Sequence, residues 1–173
     1  MRRTCSALAA VAAAATLFTG IPAAAAAAAP VRLPTARGAV ADSSRPPTER
    51  QIKALFDRWN AALATGDARR VADLYAPDAV LLPTVSPEIR TTRAGIVDYF
   101  EHFLEGKPVG TVQERFINIP NRNTAIDTGL YRFTLTNEDG STSEVDARYT
   151  FVYELRGDDW LIVNHHSSKV PEG

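Results

Sequence analysis

The sequence predicts an α+β domain in which three helices come first and a bent antiparallel sheet follows. Three observations predict it. Apolar residues recur at spacings of three and four up to Phe103, and from residue 112 onward they alternate with a period of two. The late strands are separated by Asp- and Gly-containing turns, which suit hairpins. Helices followed by a run of strands give segregated layers rather than a βαβ alternation. Helices laid across such a sheet leave a cone with an open mouth.

The chain has 173 residues and a formal net charge of -1. That balance lacks the basic surplus of a nucleic-acid binder or a polybasic membrane anchor. Residues 1–29 read as a secretory signal peptide: Arg2 and Arg3, an apolar run from Ala7 to Phe18, then an alanine tract with A-x-A cleavage signals. The expected location is therefore secreted or extracytoplasmic, with no membrane attachment after cleavage. The single cysteine, Cys5, lies within that segment, so the mature chain has neither a disulfide framework nor thiol chemistry. Residues 30–47 are rich in Pro, Ala and Ser without periodicity and read as a flexible leader. Residues 48–173 form the expected domain.

Thr48 and Gln51 fit a capping box, and Ile52, Leu55, Phe56, Trp59 and Leu63 form one face of the first helix, which Gly66 ends. Asp67 caps a short second helix carrying Val71, Leu74 and Tyr75, ended by Pro77. AVLLP (79–83) reads as a short strand and residues 84–91 as an irregular arm. Thr92 caps a third helix with Ile96, Tyr99, Phe100 and Phe103 on one face, and Gly106 and Pro108 terminate it. Strands follow at 112–119, 125–136, 143–156 and 160–168.

Alternation sorts the strand faces. Asp127, Gly129, Tyr131 and Phe133 share parity, as do Ala147, Tyr149, Phe151 and Tyr153; this is the face expected under the helices. Glu144, Asp146, Arg148 and Glu154 take the other. The last strand is apolar at both parities through Trp160, Leu161, Ile162 and Val163, which suggests cover on both sides and a second subunit on the outer one.

The order LFDRWNAALATGD, VADLYAPDAVLLP, AGIVDYFEHFL, DTGLYRFTL and RYTFVYELRGDDWLIVNHHSSKVP resembles the NTF2-like superfamily. It is similar in particular to the association (hub) domain of calcium/calmodulin-dependent protein kinase II and its bacterial SnoaL-like relatives. The resemblance implies a cone that assembles through its sheet as homodimers or rings of dimers. It implies no kinase activity, and the chain carries no Gly-rich phosphate loop, HRD or DFG motif. The arginines that line the kinase hub pocket and receive carboxylates fall on Tyr131, Phe151 and Ser167 here, so acid-ligand binding does not carry over.

Candidate ligand-binding residues are Tyr75, Tyr99, Tyr131, Phe151, His165 and Ser167, the tyrosines because a buried phenol needs a polar partner. They would line a pocket for a small apolar or aromatic ligand, or else fill the core. Asp127 on the apolar face should have a raised pKa, and with His165 could make an acid/base pair for an isomerase, dehydratase or hydrolase. His165 and His166 are adjacent on a strand and face opposite sides, so they do not share a metal ion. No metal or cofactor is expected. Two readings stand: a secreted, self-assembling association-type domain with a small-ligand pocket, and a small cofactor-free enzyme using Asp127 and His165.

Overall fold

The computed structural model describes residues 45–171; the expected signal peptide and all but the end of the expected leader lie outside them. α1 spans Glu49–Leu63, α2 Ala68–Ala72 and α3 Arg93–Phe103, followed by a 3-10 turn at Leu104–Gly106. The strands are β1 (Tyr75–Leu82), β2 (Val109–Asn121), β3 (Thr124–Thr136), β4 (Thr142–Arg156) and β5 (Asp159–Lys169). They form one sheet in the order β1-β5-β4-β3-β2.

The capping box is present at α1: the Gln51 amide donates to Thr48 Oγ1, and the Thr48 amide donates to Gln51 Oε1 at 2.8 Å. Ile52, Phe56, Trp59 and Leu63 are the buried stripe, at the spacing a core-facing helix requires. Gly66 follows the helix at φ 68°, a left-handed position that costs glycine little. Asn60 fastens α1 to the sheet. Its Nδ2 donates to the Gly110 carbonyl and its Oδ1 accepts from the Gly110 amide, both at 2.9 Å.

Two strand details differ from the sequence reading. Tyr75 opens β1 rather than closing α2, which ends at Ala72, and Pro77 lies inside the strand. β1 is an edge strand whose register against β5 slips between Tyr75 and Val80, and an irregular edge accommodates a residue without an amide proton. β1 also runs parallel to β5, so the sheet is mostly rather than wholly antiparallel.

Two bulges reset the alternation. Between Val112 and Glu114 the β2 register advances two residues against one on β3, so Arg115 comes opposite Gly129 on the inner side. Gly129 makes this possible, since a Cβ there would lie 1.9 Å from the Glu114 carbonyl oxygen. Between Val152 and Tyr153 the β5 register skips Val163. The apolar run of β5 therefore does not read as two fully apolar faces. Ile162 is buried inward opposite Tyr153, Leu161 faces outward opposite Glu154, and Val163 sits in the bulge.

Candidate functional site

The inner face of the sheet carries two separate polar clusters. Both are embedded in aromatic core under α1 and α3.

The first is built on Asp127. Its side chain is fully buried, as its parity on β3 requires. Tyr149 Oη donates to Asp127 Oδ1 at 3.0 Å, and Arg115 Nε lies 3.1 Å from the same oxygen. The Arg115 guanidinium rests over the Phe56 ring at 5.1 Å. Burial raises the Asp127 carboxyl above its ordinary value, and Arg115 and Tyr149 pull it back. Asp127 Oδ2 and Arg115 Nη2 are buried without a partner.

The second cluster is built on His165, which is 3% exposed. Phe151 stacks on its ring with centroids 3.9 Å apart, and Trp59 meets it edge-on at 5.4 Å. Trp59 Nε1 donates to Tyr75 Oη at 3.2 Å, and Tyr75 Oη lies 2.8 Å from His165 Nδ1. An indole N–H only donates, so the phenol accepts from it; giving its own proton to Nδ1 leaves one unpaired group, the Nε2–H, whereas the other tautomer leaves both the phenol proton and Nε2 unpaired. The imidazole therefore carries its hydrogen on Nε2, and that buried N–H has no partner. Burial depresses the His165 pKa to about 3 and His166 pushes the same way, so the ring is neutral across physiological pH. Next to it, Tyr131 Oη donates to Ser167 Oγ at 2.5 Å, and Ser167 also bonds Thr84.

Asp127 and His165 do not meet. Asp127 pairs in register with Phe151 and Phe151 with His165, so a whole strand stands between them, roughly 10 Å across. The Asp127–His165 acid/base pair expected from the sequence is therefore not formed, because Phe151 fills the space between. Both residues face inward, as parity requires, and each has a different partner.

The cone interior is largely filled. The chamber lined by Tyr131, His165 and Ser167 measures about 10 Å³, on the order of a single water. Open space lies outside it, at the mouth: a pocket of about 470 Å³ bordered by Arg90, Tyr99, His102, Phe103 and Leu135. Of the six predicted ligand residues, Tyr99 reaches this pocket, and Tyr131, His165 and Ser167 reach the inner chamber. Tyr75 and Phe151 line neither. Tyr75 spends its hydroxyl on Trp59 and His165, and Phe151 is a fully buried core residue.

Arg90 and Arg115 were missed by the sequence reading. Arg90 is placed by a bridge in which the amides of Leu81 and Arg90 each donate to the other's carbonyl at 2.9 Å, folding residues 83–89 back over β1. Its guanidinium pairs with Glu88 and Asp98, each at 3.0 Å, while Nε is buried and unpartnered. His102, one helical turn from Asp98, donates Nδ1–H to the Asp98 carbonyl, which holds its pKa above the ordinary histidine value. No arginine lines the inner chamber at Tyr131, His165 and Ser167, while Arg115 lies on the inner face beside Asp127 and Arg90 borders the mouth between two carboxylates.

Helices laid on the concave side of a bent five-stranded sheet, closing on a small polar chamber, define an NTF2-like cone. Residues 48–171 match the family described as the calcium/calmodulin dependent protein kinase II association domain, and the chain belongs to that family. A candidate association-domain protein of this type from Xanthomonas campestris is 56% identical, with a TM-score of 0.72 over 73% of this chain and 91% of that one. A candidate dehydratase of the NTF2-like family from Streptomyces avermitilis is 14% identical with a TM-score of 0.63, covering 72% of this chain and 97% of that one. A Catenulispora acidiphila protein in complex with S-DNPA is 17% identical with a TM-score of 0.60, covering 70% and 92%. The last two share the fold alone. No curated protein matches the chain.

Proposed function

We propose that this chain is an exported association-type domain that pairs with a second copy of itself through the outer face of its sheet and takes a small ligand at the mouth of its cone. Family membership supports assembly, and the observation that carries it is the composition of that outer face. Phe116, 58% exposed on β2, heads a cross-strand row with Thr128, Thr150 and His166. Leu130 lies in the row to one side, Ile126 and Val152 in the row to the other. A large exposed aromatic with aliphatic and hydroxyl side chains on one flank and the opposite charges of Glu114 and Arg148 on the other suits a self-complementary interface. Charges border this field: Glu114 and Arg148 share Leu130's row, and farther along Arg132 pairs with Asp146 at 2.6 Å and Glu144 at 3.0 Å.

Light scattering at micromolar concentration should give a dimer or a multiple of it. Phe116→Glu should raise the dissociation constant by about 30-fold or more, the effect of losing an interface anchor and burying a charge. A wild-type monomer under those conditions sinks the assembly reading. Export rests on the N-terminal segment. N-terminal sequencing of protein recovered from the extracytoplasmic fraction should begin between residues 23 and 31. An intact Met1 on that material contradicts cleavage.

The enzyme reading that pairs Asp127 with His165 draws no support from the geometry. The ligand reading draws its support from the open mouth. That pocket is within the size range of small-molecule sites and is bordered mainly by apolar groups.

A further inference from the structure

The mouth pocket and the inner chamber share two wall residues, Tyr99 and Phe103. They lie one turn apart on α3, stacked with ring centroids 5.5 Å apart and planes 15° from parallel. The pair is the partition between an open apolar space and a closed, mostly apolar one that holds the His165, Tyr131 and Ser167 polar groups. Phe103 is the last residue of α3 before the 3-10 turn and is only half-buried, so its ring is the freer member.

Behind the partition is an unmet demand. His165 Nε2–H is buried with nothing to accept it. Tyr75 holds Nδ1 from outside the chamber, and Nε2 is the nitrogen left without a partner on a ring that borders the chamber. The neighbouring hydroxyls are committed to one another, Tyr131 to Ser167 and Ser167 to Thr84. An orphaned buried donor costs stability, and an acceptor brought to it recovers that loss. The chamber holds about 10 Å³, room for one oxygen atom. Its other walls include Trp59, Leu81, Phe100 and Phe133, which offer nothing to neutralise a charge.

We propose that Tyr99 and Phe103 form a gate, and that the ligand is a neutral, flat, apolar molecule whose single carbonyl-type oxygen passes them to accept from His165 Nε2–H while its body remains in the mouth pocket. This rests on the reading of the mouth as a ligand site and adds to it a buried specificity-determining residue. A carboxylate is disfavoured at this point because its charge would enter an apolar chamber opposite a neutral imidazole.

The test uses a matched pair of probes, 2-acetylnaphthalene and 2-isopropenylnaphthalene, which share shape and differ in whether an oxygen or a CH₂ is presented. Equilibrium dialysis should show the ketone binding wild type about tenfold more tightly, the effect of one buried hydrogen bond. His165→Phe should erase that preference while retaining the hydrocarbon. The side-chain ¹H–¹⁵N signal of His165 Nε2 in the wild-type protein should move with the ketone and stay with the hydrocarbon, a readout that needs no variant to fold. Equal binding of both probes with an unmoved Nε2 signal overturns the gate and leaves the mouth site standing. A ketone preference that survives in His165→Phe overturns it as well. Failure of both probes to bind wild type overturns the gate and the mouth reading together.

Discussion

Replacing Arg115 by methionine will destabilise the domain by about 3–5 kcal/mol near neutral pH, the cost of leaving a buried charge without its partner. Asp127 is fully buried, and the counter-charge in contact with it is the guanidinium 3.1 Å away. Tyr149 is its second contact, and burial pushes that phenol up to about 12, so it stays a hydrogen-bond donor throughout the working range. Without Arg115 the carboxyl pKa rises further above its unfolded value. The sign follows: a folded pKa above the unfolded one gives stability that is fully present below the unfolded pKa and lost as pH rises through the folded one. The Arg115→Met penalty should therefore shrink as pH falls and Asp127 takes up a proton. Urea unfolding at two pH values checks this, and a penalty that does not change with pH would mean that lost packing over Phe56, not the charge, was responsible. The double variant Arg115→Met with Asp127→Leu should recover much of the loss, because removing both charges removes the desolvation problem along with the pair.

That same pair shows where the sequence was readable. Period-two alternation placed Asp127 and His165 on the inner face, and the buried carboxyl has the raised pKa expected of it. Alternation says nothing about which strand stands between two residues. Phe151 occupies that position because β4 lies between β3 and β5, a consequence of long-range register. Arg115 was invisible for a different reason. One extra residue in β2 reverses the parity of everything beyond it, and the only trace in sequence is a glycine on the opposite strand, Gly129, whose missing Cβ admits the Glu114 carbonyl. The bulge at Val163 misled in the same way, making β5 look apolar on both faces. The helices were legible because caps and 3.6-residue spacing are local. Tyr75 went astray because it follows Val71 at helical spacing, yet it opens an irregular edge strand and its hydroxyl goes to Trp59 and His165. The mouth pocket depended on the arm folding back through the Leu81–Arg90 bridge, which no spacing rule announces. Phe103 was assigned to the apolar face of α3 with Tyr99, but its position between two cavities is a property of the assembled cone.

His165 should make the domain acid-labile well above the pH at which carboxylates titrate. Its pKa falls from the ordinary 6.5 to about 3 because the charged imidazolium would be stranded among Trp59, Phe151 and Phe100. A base with a depressed folded pKa binds fewer protons folded than unfolded, so stability is fully present above pH 6.5 and declines as pH falls toward about 3. At ~1.36 kcal/mol per unit, the whole window is worth roughly 5 kcal/mol, of which about 2–3 kcal/mol is lost between pH 6.5 and about 4.5. The exposed carboxylates Asp78, Asp139 and Asp146 have lowered pKa values and contribute only below that range. Asp127 works in the opposite sense, since its raised pKa favours the folded state as pH falls, so the net slope understates the histidine. His165→Gln isolates it: the amide oxygen can still accept from Tyr75, and nothing titrates. The difference in unfolding free energy between wild type and His165→Gln should grow in the variant's favour by about 2–3 kcal/mol from pH 6.5 to pH 4.5. A difference independent of pH over that interval would mean that the imidazole is protonated in the folded state. In that case Nδ1 could not accept from Tyr75, and the tautomer that leaves an N–H facing the inner chamber would be wrong as well.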